Sequence, residues 1–133
     1  MTKVNTKRKT SRATYFKRLM KWVDALESGK YTQTEGTLKD AYGGFCCLGV
    51  ACDVSGLGKW DKDGFYLKED GGLPKKVVDY FGLEDSTGFE VKKGSYIGKF
   101  LTDLNDAAGL SFKQIAKYVR KWAKDKYGPK SKS

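Results

Sequence analysis

Apolar residues recur at helical spacing in two long segments, one towards each end of the chain. The first segment follows Ser11, a residue suited to begin a helix, and its apolar positions repeat every three to four residues until Ser28-Gly29. The second segment follows Ser111, and its apolar stripe consists of Phe112, Ile115, Ala116, Val119 and Ala123. We therefore predict an amphipathic helix near each end.

The residues between these helices predict shorter elements. Residues 45–54, FCCLGVACDV, are apolar on every side, which favours a buried helix ending near Gly56 or Gly58, with a strand as the alternative. Residues 30–44 predict a short strand or an ordered loop, and 60–65 and 85–98 predict hairpins. A short helix is predicted between Pro74 and Gly82, and another over 97–107.

These elements predict an α+β fold, a single small helix-rich domain with one or two short β-hairpins and basic flexible termini. Residues 1–10 are polar, basic and without periodicity, so we expect a disordered basic arm there. The globular domain is expected to span 11–127, and 128–133 to form a basic tail.

Positive charge is concentrated at the two ends of the chain. The chain of 133 residues has 26 Lys/Arg against 16 Asp/Glu; residues 1–30 and 111–133 each carry a net +7, and 31–110 carry −4. If both ends lie on one face, they form a patch suited to a polyanion; if they lie apart, they are two solvated ends. The candidate anion-binding residues are Lys7, Arg8, Lys9, Arg12, Lys113, Lys117, Arg120 and Lys124.

Histidine is absent from the sequence, which excludes His-based catalytic triads, Cys–His dyads and His-ligated metal sites. The three cysteines, Cys46, Cys47 and Cys52, are fewer than the four ligands of a structural zinc site. We interpret them as apolar packing, with a redox or nucleophilic thiol, or a metal shared between subunits, as alternatives. No metal and no cofactor are therefore expected.

Polar and aromatic residues offer further candidates. Asp103, Asn105 and Asp106 could bind a cation or supply a general base, although such residues commonly cap helix ends. Residues 101–119 have a helix-turn-helix appearance with Gly109 in the turn, and the alternative is an ordinary helical corner. Packing is expected of Tyr31, Gln33, Trp60 and Tyr66, with nucleobase stacking as the alternative.

Four blocks in fixed order, W..ALESGKY.Q, GFCCLGVACDV, GGLP..V..YFGL and LTDLND.AGLSFKQIAKYV, resemble a group of small proteins from tailed bacteriophages and prophages. The resemblance covers about Trp22 to Val119. Because that group has no agreed activity, the resemblance implies an origin rather than a mechanism. Most of the matched positions are apolar or glycine, whereas Asn105 and Asp106 are the polar exceptions. With Asp103 they form the candidate polar site.

We therefore expect a non-enzymatic phage accessory protein that binds an anionic partner: nucleic acid, a nucleotide signal or an acidic host protein. Host takeover or action against host defence would suit it, in the host bacterial cytoplasm. No apolar run approaches the roughly 20 residues of a membrane span, so no membrane partner is expected. One alternative is a virion or assembly component. Another is a small nucleotide-acting enzyme with Asp103, Asp106 or Glu35 as base, or Cys46 or Cys47 as nucleophile. The oligomeric state is left open.

Overall fold

A computed structural model of the protein describes residues 10–129. Residues 1–9 of the predicted arm, with Lys7, Arg8 and Lys9, and residues 130–133 of the tail lie outside the described residues. The elements are α1 (Arg12–Glu27), β1 (Thr32–Gln33), β2 (Gly44–Phe45), α2 (Cys47–Ser55), α3 (Lys75–Phe81), α4 (Leu101–Asp106) and α5 (Phe112–Tyr127). The predicted helix-rich α+β fold in a single small domain is confirmed.

The two long helices begin where their capping serines predict. The Ser11 hydroxyl accepts a hydrogen bond from the Thr14 amide at 3.1 Å, ahead of α1. Ser111 and Gln114 cap the start of α5 reciprocally, since each side chain accepts from the other residue's amide, at 3.2 and 2.9 Å. Local sequence therefore fixes where both helices start.

Helices α1 and α5 pack against each other in antiparallel orientation. The Arg12 guanidinium, in the first turn of α1, donates to the carbonyl oxygens of Lys126 and Gly128 at the end of α5, at 2.7 and 3.0 Å. The facing stripes are buried, including Leu19, Val23, Ile115 and Val119. Burial of such side chains supplies about 1.5–3 kcal/mol each. The predicted stripes are thus the faces on which the helices meet the core.

Helix α2 lies inside the molecule, and seven of its nine residues are buried. The segment is helical, so the strand alternative for 45–54 is wrong, and the helix ends at Gly56, which has a φ of 66°. The Trp22 indole donates to the carbonyl oxygen of Cys47 at 3.0 Å, which joins α1 to α2. None of the helices within 10–129 combines the length and apolar composition needed to cross a membrane.

The β structure is smaller than the sequence predicts. Strands β1 and β2 pair in parallel, Thr32 with Gly44 and Gln33 with Phe45. The predicted hairpins take the form of antiparallel bridges, Trp60 with Tyr66 and Glu90 with Phe100, without extended strands. The predicted helix over 97–107 starts only at Leu101. Its N-terminal part was wrong, because Gly98 has a φ of 86° and Ile97 is 62% exposed.

Gly49 is required in α2 because the helix lies directly on the backbone of residue 38. A Cβ at Gly49 would overlap the carbonyl oxygen of Leu38, which itself accepts from the Cys46 amide at 3.1 Å. Helix propensity alone would favour alanine by about 1 kcal/mol. The contact with the Leu38 carbonyl oxygen leaves no room for a Cβ, so glycine is required at position 49 despite its lower helix propensity.

We predict that Gly49→Ala lowers the free energy of unfolding by about 3 kcal/mol, the upper end of the overpacking range, as measured by urea denaturation. Gly71→Ala is the matched control, because a Cβ there meets no atom within 4 Å. Its stability should stay within about 0.5 kcal/mol of the wild-type value. Equal stability of both variants would show that α2 does not approach Leu38 as described.

Candidate functional site: a basic helix pair with an aromatic groove

The antiparallel pair of α1 and α5, called the basic layer below, concentrates the positive charge of the described residues. The two helices hold ten Lys/Arg against three Asp/Glu, whereas the rest of 10–129 holds ten against thirteen. Because Arg12 contacts the last turn of α5, the first and last described helical turns lie side by side. The described parts of the two basic segments, in α1 and α5, are therefore neighbours rather than separate.

The predicted anion-binding residues fall into two groups. The arginines are engaged within the fold: Arg12 bonds the end of α5, and Arg120 forms two hydrogen bonds, at 2.9 and 3.0 Å, with the Glu27 carboxylate. Hydrogen bonding from Arg120 lowers the pKa of Glu27, so the pair is ionised at neutral pH. In contrast, Lys113, Lys117 and Lys124 are exposed and form no ion pair with any residue of 10–129.

A groove of about 210 Å³ lies between α5 and residues 89–93. Phe89 and Trp122 stack at its base, with ring centroids 4.6 Å apart and planes within 2°. Tyr118 is half-buried beside them, and its ring forms a T-shaped pair with that of Tyr96, with the ring centroids 6.1 Å apart. Residues 89–93 are also held by backbone bonds of Val91 to residues 98 and 99, both at 2.8 Å. The base of the groove is thus aromatic and fixed.

Lysines lie on both walls of the groove, beside its aromatic residues. Lys92 and Lys93 stand on one wall, and Lys117 and Lys121 on the α5 wall. Two carboxylates lie among them: Glu90 is 3.5 Å from the Lys92 ammonium, and Asp125 is 3.2 Å from that of Lys121. Within residues 10–129, Lys93 and Lys117 have no such partner. The lysine-rimmed groove therefore joins an apolar interior to a positive edge.

Sequence reasoning identified Lys117 but missed the other members of this groove. Part of the signal was present, because Lys117 and Lys121, like Tyr118 and Trp122, are four residues apart and share a helix face. Nothing in the sequence indicated residues 89–93, since their contact with α5 spans about thirty residues.

The side chains Asn105 and Asp106 of the candidate polar site form hydrogen bonds with other residues of the protein. Asn105 is 1% exposed; its carbonyl oxygen accepts from the Cys47 amide at 3.1 Å and from Gln33 at 2.9 Å. Its amide group donates to the Thr34 carbonyl at 2.9 Å and to Asp106 at 2.8 Å. Asp106 also accepts from the Gly36 amide at 3.1 Å. These bonds connect α4 to α2 and to the segment around β1, and they engage both polar atoms of Asn105 and one carboxylate oxygen of Asp106.

Asp103 has a capping position at the start of α4. Its carboxylate accepts from the Phe100 amide at 2.9 Å. The turn between α4 and α5 contains Gly109 with a φ of 66°, and Leu104 and Leu110 are buried there. With only six residues in α4, the arrangement is a short helical corner, and DNA reading by a helix-turn-helix stays a prediction.

All three cysteines are free and buried. Burial raises the pKa of the Cys46 thiol to about 11 and raises the pKa values of Cys47 and Cys52 well above their usual range. Because the thiolate is the reactive form, this environment suits packing. Residues 10–129 contain no group of three or more Cys, Asp or Glu side chains able to hold a metal ion.

The aromatic candidates outside the basic layer are packed together. Tyr31 and Trp60 both donate to the Asp53 carboxylate, at 2.6 and 3.1 Å. Tyr66 is 1% exposed, and its hydroxyl accepts from the Gly58 amide at 2.6 Å. Gln33 is engaged with Asn105 and with the carbonyl oxygen of Leu110. Tyr66 thus belongs to the core, whereas Tyr31 and Trp60 are half-buried and pack against it.

Residues 17–123 match a family described as a domain of unknown function, DUF8296. No curated protein and no solved structure matches the chain. The match begins inside α1 and ends inside α5, so it covers most of the basic layer and of the groove but not Arg12, Lys124 or Asp125.

We predict that Asn105→Ala lowers the free energy of unfolding by about 3 kcal/mol, because it leaves the buried Cys47 amide and Thr34 carbonyl without their partner. Urea denaturation measures the effect. Thr102→Ala, at a half-buried position of the same helix, serves as the control and should cost less than about 1 kcal/mol. A stable Asn105→Ala protein would contradict the structural role of this side chain.

Proposed function

Because the chain belongs to the DUF8296 family, a domain of unknown function, we propose its activity from its own residues: it binds nucleic acid through the basic layer. The proposal rests on how charge is distributed in the fold: α1 and α5 carry a net charge of +7, whereas the rest of the described residues carry −3. A surface of one sign attracts a polyanion and orients it. The rest of the described residues carry the opposite sign, so a polyanion is attracted to the helix pair rather than to them.

The spacing of the exposed cations on this surface suits a phosphate backbone. The arginines within 10–129 bind inside the fold, including Arg18, which donates to the Tyr80 carbonyl at 2.8 Å and stacks on its ring. The exposed cations of this layer without a hydrogen-bond or ion-pair partner in 10–129 include the lysines Lys113, Lys117 and Lys124, which act as mobile point charges. Lys113, Lys117 and Lys124 follow one helix face for about 16 Å at 1.5 Å per residue. A row of point charges suits a phosphate backbone better than an acidic protein surface.

The same contacts favour binding over catalysis. Asp103 and Asp106 accept backbone hydrogen bonds, and burial disfavours the thiolates of Cys46 and Cys47. The resemblance to small phage proteins supports an accessory role in the host cytoplasm, in host takeover or against host defence. In that setting, a basic layer would act on phage or host nucleic acid by association alone.

We predict that the variant Lys113→Gln/Lys117→Gln/Lys124→Gln binds DNA roughly tenfold or more weakly at moderate salt, because up to three phosphate contacts are lost. Fluorescence anisotropy across a salt series measures both affinity and its salt dependence. The slope of log K against log salt should fall in magnitude by about 2 on single strands and by nearly 3 on duplex.

The control Lys59→Gln/Lys62→Gln/Lys68→Gln removes the same charge from exposed positions near Asp61, Asp63, Glu69 and Asp70. We expect a small change in affinity and an unchanged salt slope. Equal losses in both variants, or wild-type binding that does not depend on salt, would contradict the proposal.

A further inference from the structure

The lysine-rimmed groove differs from the rest of the basic layer because it is apolar inside. A phosphate backbone alone would need only the lysines. We infer that the groove holds one unpaired nucleotide of a single strand, with its base against Tyr118 and its phosphates at the rim. This inference rests on the proposed function and adds a preference for single strands over duplex.

The size and lining of the groove support a nucleobase. A cavity of about 210 Å³ with Phe89, Tyr118 and Trp122 in its walls admits a planar ring. Phe89 and Trp122 are 2% and 9% exposed, so Tyr118, which is half-buried, offers the accessible aromatic surface. Base–aromatic stacking tolerates any sequence, whereas the faces of a base inside a duplex are covered by the neighbouring base pairs. The groove therefore selects unpaired nucleotides.

The charges at the rim match the two parts of a nucleotide. Lys93 and Lys117, on opposite walls and without ion-pair partners in 10–129, are placed to contact phosphates. Glu90 and Asp125 are acceptors for the exocyclic amino group of a base such as cytosine. The mixture thus favours a ligand that is anionic at one end and a hydrogen-bond donor at the other.

The test compares a short oligo(dC) with an abasic strand of equal length and equal phosphate number, by fluorescence anisotropy with the full chain. We expect oligo(dC) to bind at least about fivefold more tightly, the lower end of one stacking contact. If both strands bind with equal affinity and the affinity still depends on salt, the inference about the groove is overturned and the proposed function stays intact. Absence of binding to both strands would overturn both proposals.

Tyr118→Leu locates the effect, because it keeps an apolar side chain and removes the aromatic ring. The oligo(dC) advantage should fall to less than about twofold while the salt slope stays unchanged. Tyr42→Leu, at a side chain 96% exposed on the loop before β2, is the matched control and should keep the full advantage. An advantage that survives in Tyr118→Leu would overturn the placement of the base.

A crosslinking measurement on the wild-type chain needs no folded variant. Strands containing 5-iodo-deoxycytidine are irradiated in the complex, and the modified peptide is identified by mass spectrometry. We expect the crosslink within residues 89–93 or 117–125. Crosslinks confined to other segments would overturn the inference. The inference would also be overturned if an acidic aromatic peptide bound the wild-type protein but not Tyr118→Leu, while oligo(dC) and the abasic strand bound equally.

Discussion

The packing of α1 against α5 is the interaction on which the rest of the structure depends. It buries the apolar stripes of both helices and brings ten cationic side chains into one layer. Repulsion among exposed lysines is weakened by water and by salt, which screens charges beyond about 8 Å. Each buried aliphatic side chain contributes about 1.5–3 kcal/mol, more than an exposed ion pair of up to about 1 kcal/mol. Hydrophobic burial therefore holds α1 against α5 despite the repulsion among their lysines. The positive surface results from that packing.

Arginines and lysines have different parts in this layer. Arg12 closes the end of α5, Arg18 covers Tyr80, and Arg120 joins the helices through Glu27. Their planar guanidinium groups form fixed multiple bonds, which suits holding elements together. Lysines such as Lys117 remain at the solvent side, where flexible ammonium groups can follow a partner. The cations that hold the fold together are thus separate from those that we propose to attract an anion.

Local pattern predicted the parts of the fold that local interactions determine. Capping by Ser11 and Ser111, the two amphipathic stripes and the burial of α2 all follow from neighbouring residues. The parallel pairing of Thr32 with Gly44 and the reduction of the hairpins to bridges depend on contacts beyond neighbouring residues. Asn105 illustrates the limit: its sequence context suggested a polar site, but a bond to Gln33, 72 residues away, makes it a structural element. The groove was missed for the same reason, since residues 89–93 meet α5 only in the folded chain.

Hydrogen–deuterium exchange of the protein with and without single-stranded DNA tests most directly whether the basic layer is the binding surface. Slowed exchange is expected in α5, in α1 and in residues 89–99, with residues 57–70 unchanged. Protection confined to 57–70 or to the segment around Asn105, together with unchanged exchange in α5, would contradict the assignment of function to the helix pair.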